Sequence, residues 1–320
     1  CVWLVDQNKP SNQDSLTAKQ IMSLDQQLDE MIQTKYHFEN YNGLKRERLR
    51  SLTNNYKDNL FDHSVVVIDE VHNFISRISN KLGKEKTPVT YDKEGEIDNF
   101  PVSLALVLYE MLMNAQDVRI VFLTGTPIIN YPNEIGILFN MLRGYIKTFL
   151  LTVSVESGEK IDQKRIEDAL SRFAIHDYVE YDTARKQIIL TRNPFGFVNV
   201  RKQGNYIGIK KNTGGNSCEP RNKGRDCEQG FTCQNINKNS EEKEDFRCLP
   251  MTDSGFINIC RDILSKIGVR TISVQVKKYK ALPDQLEPFK AMFINSKSGE
   301  IKNESLLQKR ILGLTSYFRS

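Results

Sequence analysis

Apolar and polar positions along the first half of the chain follow two different periods. Ile21, Leu24, Leu28, Met31 and Ile32 recur at three- and four-residue spacing, which predicts an amphipathic helix. Val65-Val66-Val67-Ile68 is an unbroken β-branched run, and Ile120-Val121-Phe122-Leu123 is a second apolar run. Each predicts a strand covered on both faces, as in a parallel sheet flanked by helices. Helices are also predicted near residues 44–52, 72–81, 101–115 and 132–142, with Pro101 suited to a first helical turn. Short strands are predicted at 1–5, around Trp3, and at 36–40, and a polar, hairpin-like excursion covers 83–99. This alternation implies an α/β, doubly wound parallel sheet over residues 1–148.

From residue 149 to 279 the period changes to short strands separated by turns, near 152–155, 177–181, 187–191, 196–201 and 205–210. One helix is expected at 160–173, and a helix at 255–267 followed by a strand at 271–277 closes this strand-rich module, which carries a Cys-rich loop over 212–250. Residues 280–320 then predict two helices, near 283–293 and 304–314.

Composition adds bounds. With 320 residues, 39% hydrophobic and 27% charged, the chain can build about two domains. No apolar run approaches the roughly 20 residues that span a bilayer, and no signal segment opens the sequence, so a soluble intracellular protein with no membrane partner is expected. The net charge of +5 permits a nucleic-acid partner without requiring one. Residues 201–225 carry seven Lys or Arg against one Glu, and Glu241-Glu242-Lys243-Glu244-Asp245 reverses the sign. Cys218, Cys227, Cys233 and Cys248 fall in this hydrophilic stretch, which is too polar to form a core of its own. Their spacings of eight, five and fourteen intervening residues lack the close pairs of a structural zinc site. Disulfides, free thiols and zinc all remain open for them.

The chemistry concentrates where the first apolar run ends, at Asp69 and Glu70. Ligands of open α/β sheets sit at the carboxyl ends of the strands. In phosphoanhydride hydrolysis the first of two such carboxylates holds Mg²⁺, usually through water, and the second orients or deprotonates the attacking water. The second run ends in Thr124-Gly125-Thr126-Pro127, whose hydroxyls can reach the first turn if the two strands are neighbours.

Asp69-Glu70-Val71-His72 followed by Thr124-Gly125-Thr126-Pro127 resembles motifs II and III of superfamily 2 helicases and translocases. Four further segments narrow the likeness: Tyr41-Asn42-Gly43-Leu44; Val71-His72-Asn73-Phe74-Ile75-Ser76-Arg77; Pro127-Ile128-Ile129-Asn130-Tyr131-Pro132-Asn133-Glu134; and Arg310-Ile311-Leu312-Gly313-Leu314-Thr315-Ser316-Tyr317-Phe318-Arg319. They resemble the helicase-like ATPases of large nucleocytoplasmic DNA viruses, similar to the poxvirus early transcription factor large subunit and nucleoside triphosphatase I. The resemblance covers residues 36–145 and 278–319. It implies an incomplete first RecA-like lobe, a strand-rich insertion and the start of a second RecA-like lobe. ATP and Mg²⁺ are the implied cofactors, Asp69 and Glu70 the catalytic pair, and His72, Thr124 and Thr126 the residues coupling the nucleotide site to movement. DNA and a viral RNA polymerase or transcription factors are the implied partners, in the host cytoplasm, at viral factories, and in the virion. Neither the phosphate-binding pattern G-x-x-x-x-G-K-[ST] nor the arginine pattern Q-x-x-G-R-x-x-R occurs. An internal stretch of a longer ATPase, inactive by itself, is therefore expected, with a degenerate, non-catalytic scaffold as the alternative.

Overall fold

The computed structural model describes residues 13–41, 43–82, 90–91, 97–99, 103–156, 158, 160–194, 196–203, 205–212, 214–219, 226–236 and 244–316. The strand expected at 1–5 with Trp3, Asn42, most of the excursion over 83–99, Arg221, Lys223 and Arg225 of the basic run, and Tyr317, Phe318 and Arg319 lie outside these residues. The chain divides into two compact units, residues 1–52 and 53–320.

The first unit holds α1 (Ala18–Lys35) and α2 (Arg46–Leu52). A capping box starts α1, in which the Gln20 side chain accepts from the Thr17 N–H at 2.9 Å. The predicted apolar stripe is there, but Ile21, Leu28, Met31 and Ile32 are exposed. Residues 36–40 are irregular, contrary to the expected strand, because no described segment runs beside them to form a ladder.

The second unit opens with β1 (Val65–Ile68), α3 (Val71–Lys81), the small hairpin β2 (Thr90–Tyr91) and β3 (Ile97–Asn99), α4 (Leu104–Asn114), β4 (Arg119–Phe122) and α5 (Glu134–Arg143). β1 and β4 pair in parallel with Val65 opposite Arg119 and Ile68 opposite Phe122. Among the described residues they form a two-stranded sheet. Alternate side chains diverge from it: Val66, Ile68, Ile120 and Phe122 are half-buried, whereas Val65 is 68% and Val67 60% exposed. Where the sequence predicts cover on both faces, one face carries no cover among the described residues. Helix α4 is apolar on nearly every side and is buried from Leu106 to Met113 except at Glu110; Val71, Phe74, Ile75 and Ile78 of α3 and Ile137 and Met141 of α5 are buried with it.

The strand-rich part comprises β5 (Tyr145–Val155), α6 (Gln163–Leu170), β6 (His176–Asp182), β7 (Gln187–Arg192), β8 (Phe197–Lys202), β9 (Asn205–Lys211), β10 (Phe231–Asn235), β11 (Phe246–Pro250), α7 (Asp253–Ser265) and β12 (Val269–Lys280). Its main sheet is antiparallel in the order β12-β5-β7-β6. The boundaries expected at residues 148 and 279 fall inside β5 and β12, which pair from end to end. Phe149, Leu151, Ile188 and Leu190 of the sheet share a core with Ile166 and Leu170 of α6 and with Phe256, Cys260 and Leu264 of α7. The Phe256 ring lies 5.0 Å from Phe149 and 5.5 Å from Phe173 between centroids, and burying a side chain of this size stabilises by about 2 kcal/mol or more. Two hairpins stand apart from this sheet, β8–β9 and β10–β11. Disulfides Cys218–Cys233 and Cys227–Cys248 tie the second, with Cα–Cα separations of 5.9 and 5.5 Å. The chain ends in α8 (Leu286–Phe293) and α9 (Glu304–Ile311). No helix among the described residues is long and apolar enough to cross a membrane.

His176, at the start of β6, is buried and shares its Nδ1 proton with the Phe173 carbonyl at 2.6 Å. Burial pushes its pKa down to about 4, with Lys309 and Arg201 acting in the same direction and the Phe173 bond and Asp177 opposing. The unfolded chain therefore takes up this proton at a higher pH than the folded one. The stability contributed is fully present above about pH 6.5 and is lost as pH falls towards 4, amounting to about 3 kcal/mol across that window. Thermal midpoints are expected to fall over pH 6.5–4, and His176→Gln should flatten that part of the profile. An unchanged profile in the variant would remove His176 as its source.

Candidate functional site

The carboxyl ends of β1 and β4 are joined by backbone bonds. Leu123 N–H donates to the Ile68 carbonyl at 2.9 Å, and Val71 N–H donates to the Leu123 carbonyl at 3.2 Å. These bonds bring the Asp69-Glu70 turn beside Thr124. Glu70 occupies the left-handed region, with φ 48° and ψ 43°, as the residue preceding α3. A non-glycine residue there costs about 1 kcal/mol, and such departures collect at functional sites.

Four of the five residues singled out from sequence meet at one atom. His72 Nδ1 lies 2.8 Å from Thr124 Oγ1, 3.4 Å from Thr126 Oγ1 and 3.2 Å from Glu70 Oε2. A carboxylate only accepts, so the contact with Glu70 is attractive when Nδ1 carries the proton. Thr124 Oγ1 also accepts from the Thr126 N–H at 3.1 Å, which folds the Thr-Gly-Thr turn onto the histidine. The His72 side chain is 16% exposed and that of Glu70 60%, so the imidazole sits inside the turn and the carboxylate faces solvent. Asp69 is placed differently. It is exposed, and its Oδ1 accepts from the Glu70 N–H at 2.9 Å.

The donor set fits Mg²⁺. Asp69 and Glu70 present hard carboxylate oxygens on adjacent residues, and Mg²⁺ commonly takes one or two carboxylates while water and phosphate fill its other positions. Among the described residues, the one group of three or more candidate metal ligands is Cys218, Cys227 and Cys248, whose sulfurs lie within 4.8 Å of one another. Each of those sulfurs belongs to a disulfide, so a metal there would require both bonds to be reduced.

Several residues have bonding partners that the sequence reading did not assign, although Ser76, Asn130, Asn133 and Glu134 lie in segments that carry the resemblance. Asn130 Nδ2 donates to Ser76 Oγ of α3 at 2.7 Å, and Asn133 Nδ2 donates to Ser79 Oγ at 3.3 Å and to the Asp284 carbonyl at 2.8 Å. The Glu134 carboxylate accepts from the Ile129 and Asn130 N–H groups at 2.7 and 3.2 Å. Asn140 brackets Leu282, donating to its carbonyl and accepting from its N–H, both at 2.8 Å. Nearby, Lys280 forms ion pairs with Glu110 at 3.2 Å and Asp284 at 2.7 Å. Burial pulls the Lys280 pKa down, but the two carboxylates outweigh it and raise it overall. The available signal was three polar residues, Asn133, Glu134 and Asn140, in or beside a helix that is otherwise apolar up to Arg143 in its last turn, where burial forces each to find a partner.

Over 88 residues the chain is 35% identical to a protein of Acanthamoeba polyphaga mimivirus described as a candidate ATP-dependent RNA helicase. The chain is helicase-like over that stretch. The match takes in 25% of this chain and spans only 8% of the relative's length. No protein family profile matches the chain, and no solved structure matches it.

Proposed function

We propose that this chain is part of a Mg²⁺-dependent, nucleic-acid-stimulated ATPase of the helicase and translocase type, acting in viral transcription. The observation that carries the reading is the meeting of Glu70, Thr124 and Thr126 at His72 Nδ1, where two parallel strands end. In this reading β1 and β4 belong to a RecA-like first lobe, residues from β5 to β12 form an insertion, and α8 and α9 begin a second lobe. DNA is the polynucleotide, as the sequence resemblance implies, and a viral polymerase or transcription factor is the protein partner.

The residues divide the work by their surroundings. Glu70, open to solvent and held at one oxygen by His72, takes the proton of the attacking water. His72 fixes the direction of that carboxylate and passes its position to Thr124 and Thr126, so movement of the second turn is felt at the first. Asp69 would hold Mg²⁺, which would supply positive charge to offset that of the phosphates.

The test is steady-state ATP hydrolysis by the full-length protein, with and without DNA or RNA. Glu70→Gln is expected to lower turnover by about 10²-fold or more while nucleotide binding survives, because the amide keeps the shape but cannot take a proton. Wild-type turnover in that variant would remove Glu70 from catalysis and favour a non-catalytic scaffold. Stimulation by RNA alone would replace DNA in the reading.

A further inference from the structure

The face of α3 that presents His72 continues along the helix. His72, Ser76 and Ser79 are spaced four and three residues apart, which places them in one row. Each meets the segment that follows β4: His72 meets Thr124 and Thr126, Ser76 meets Asn130, and Ser79 meets Asn133. The loop between the first and second rungs is exposed, with Ile128, Ile129 and Asn130 all facing solvent on at least one side. What fixes it from beneath is the Glu134 carboxylate. The residue is 1% exposed, and two consecutive loop N–H groups converge on its Oε2. Its other oxygen, Oε1, is buried without a hydrogen-bond partner.

We infer that Glu134 is a positioning residue: by holding the Ile129 and Asn130 amides it seats the loop on α3 and keeps Thr124 and Thr126 against His72. The inference deepens the ATPase reading and rests on it for its consequence in catalysis, while its geometric content stands apart. A buried carboxylate with two amide donors is a stronger anchor than a neutral acceptor. Because both donors reach a single oxygen, a glutamine carbonyl can take that place, and an alanine cannot.

The experiment uses the full-length protein labelled at histidine. The ring ¹⁵N resonances of His72, assigned with His72→Gln, report its hydrogen bonding at Nδ1, and hydrogen exchange reports the Ile129 and Asn130 amides. In Glu134→Ala the two amides are expected to lose protection by about tenfold or more, the equilibrium worth of a charge-assisted hydrogen bond, and the His72 ring signals to shift. Glu134→Gln should restore both. If Glu134→Ala does not fold, Glu134→Met carries the test, since it fills the same volume and offers the two loop amides no oxygen; the His72 signals should again move. Unchanged His72 signals in a folded Glu134→Ala, or in Glu134→Met where that stands in, would overturn the inference. In turnover, Glu134→Ala should lower kcat with KM little altered, and Glu134→Gln should recover it. A wild-type protein that hydrolyses no nucleotide, with the resonance and exchange changes as expected, would sink the ATPase reading and leave the positioning role standing.

Discussion

Asp177→Asn is expected to destabilise the second unit by about 3–5 kcal/mol, the range for removing one partner of a buried ion pair. Asp177 sits at the register shift between His176 and Tyr178 of β6, and its carboxylate is fully buried. Its Oδ1 accepts from the Thr191 hydroxyl of β7, and its Oδ2 lies 3.2 Å from Arg310 Nε and 3.8 Å from an Arg143 guanidinium nitrogen. Arg143 at the end of α5 also donates to the Lys309 and Arg310 carbonyls at 2.9 and 2.8 Å, and Arg310 donates to Thr191 Oγ1 at 2.9 Å. One carboxylate thus stands among three buried cations, Arg143, Lys309 and Arg310.

Burial pulls all three cations down, Arg143 to about 10, and Asp177 works against burial in each case. With an amide in its place the cations keep their desolvation cost and lose the charge that offsets it. Thermal unfolding followed by circular dichroism should show a midpoint lowered by roughly 10 °C, and exchange should rise in α9, which these bonds seat on β6. Pairing Asp177→Leu with Arg310→Leu should recover only part of the loss, because it removes one of the three uncompensated cations and leaves Arg143 and Lys309 buried. A loss below about 1 kcal/mol in Asp177→Asn would mean that the cluster is reached by water and contributes as little as a surface pair.

The residues that were legible in the sequence are those whose chemistry repeats locally. β1 and β4 announce themselves through unbroken β-branched or apolar runs that end in polar turns, and α4 through its uniform apolarity. The meeting of His72 with Thr124 was approachable because strand ends bring side chains together when strands are neighbours. Periodicity does not say how many strands flank a run, which is why the open face at Val65 and Val67 could not be read. β5 extends beyond its expected start because Lys147 and Thr148, polar in sequence, still pair with β12 and β7. β10 and β11 were missed since Phe231-Thr232-Cys233-Gln234-Asn235 has too few apolar residues to signal a strand, and disulfides hold it instead. Four cysteines allow three pairings, so spacing alone left the linkage open. The Asp177 cluster joins α5, β6, β7 and α9, and nothing local in Asp177-Tyr178 or Lys309-Arg310 points across more than a hundred residues.

Gly136→Ala is expected to cost about 3 kcal/mol even though alanine is the better helix former. Gly136 lies in α5, where intrinsic propensity alone would favour alanine by about 1 kcal/mol. A Cβ at this position would overlap the Pro283 carbonyl oxygen, stand 3.1 Å from the Pro283 carbonyl carbon and 3.4 Å from Phe289 Cδ2. The obstacle is backbone, and that backbone is held on both sides: Asn140 grips both polar groups of Leu282, and Asn133 takes the Asp284 carbonyl. Tyr109 adds a hydroxyl bond to Asp284 at 3.1 Å. Relieving the overlap means lifting residues 282–284 from α5, which loses several of these bonds at about 1 kcal/mol each and leaves buried amides without partners. Gly125→Ala is the control, since a Cβ there meets nothing within 4 Å and its backbone needs no positive φ; its effect should stay within about 0.5 kcal/mol. Chemical denaturation of the two variants against wild type reads the difference as a shift in midpoint at constant slope. Equal midpoints for Gly136→Ala and wild type would show that residues 282–284 can leave α5 without cost. Residues 280–284 would then act as a loose tether between α5 and the helices α8 and α9, and not as the fixed seat that Asn133, Gly136 and Asn140 provide.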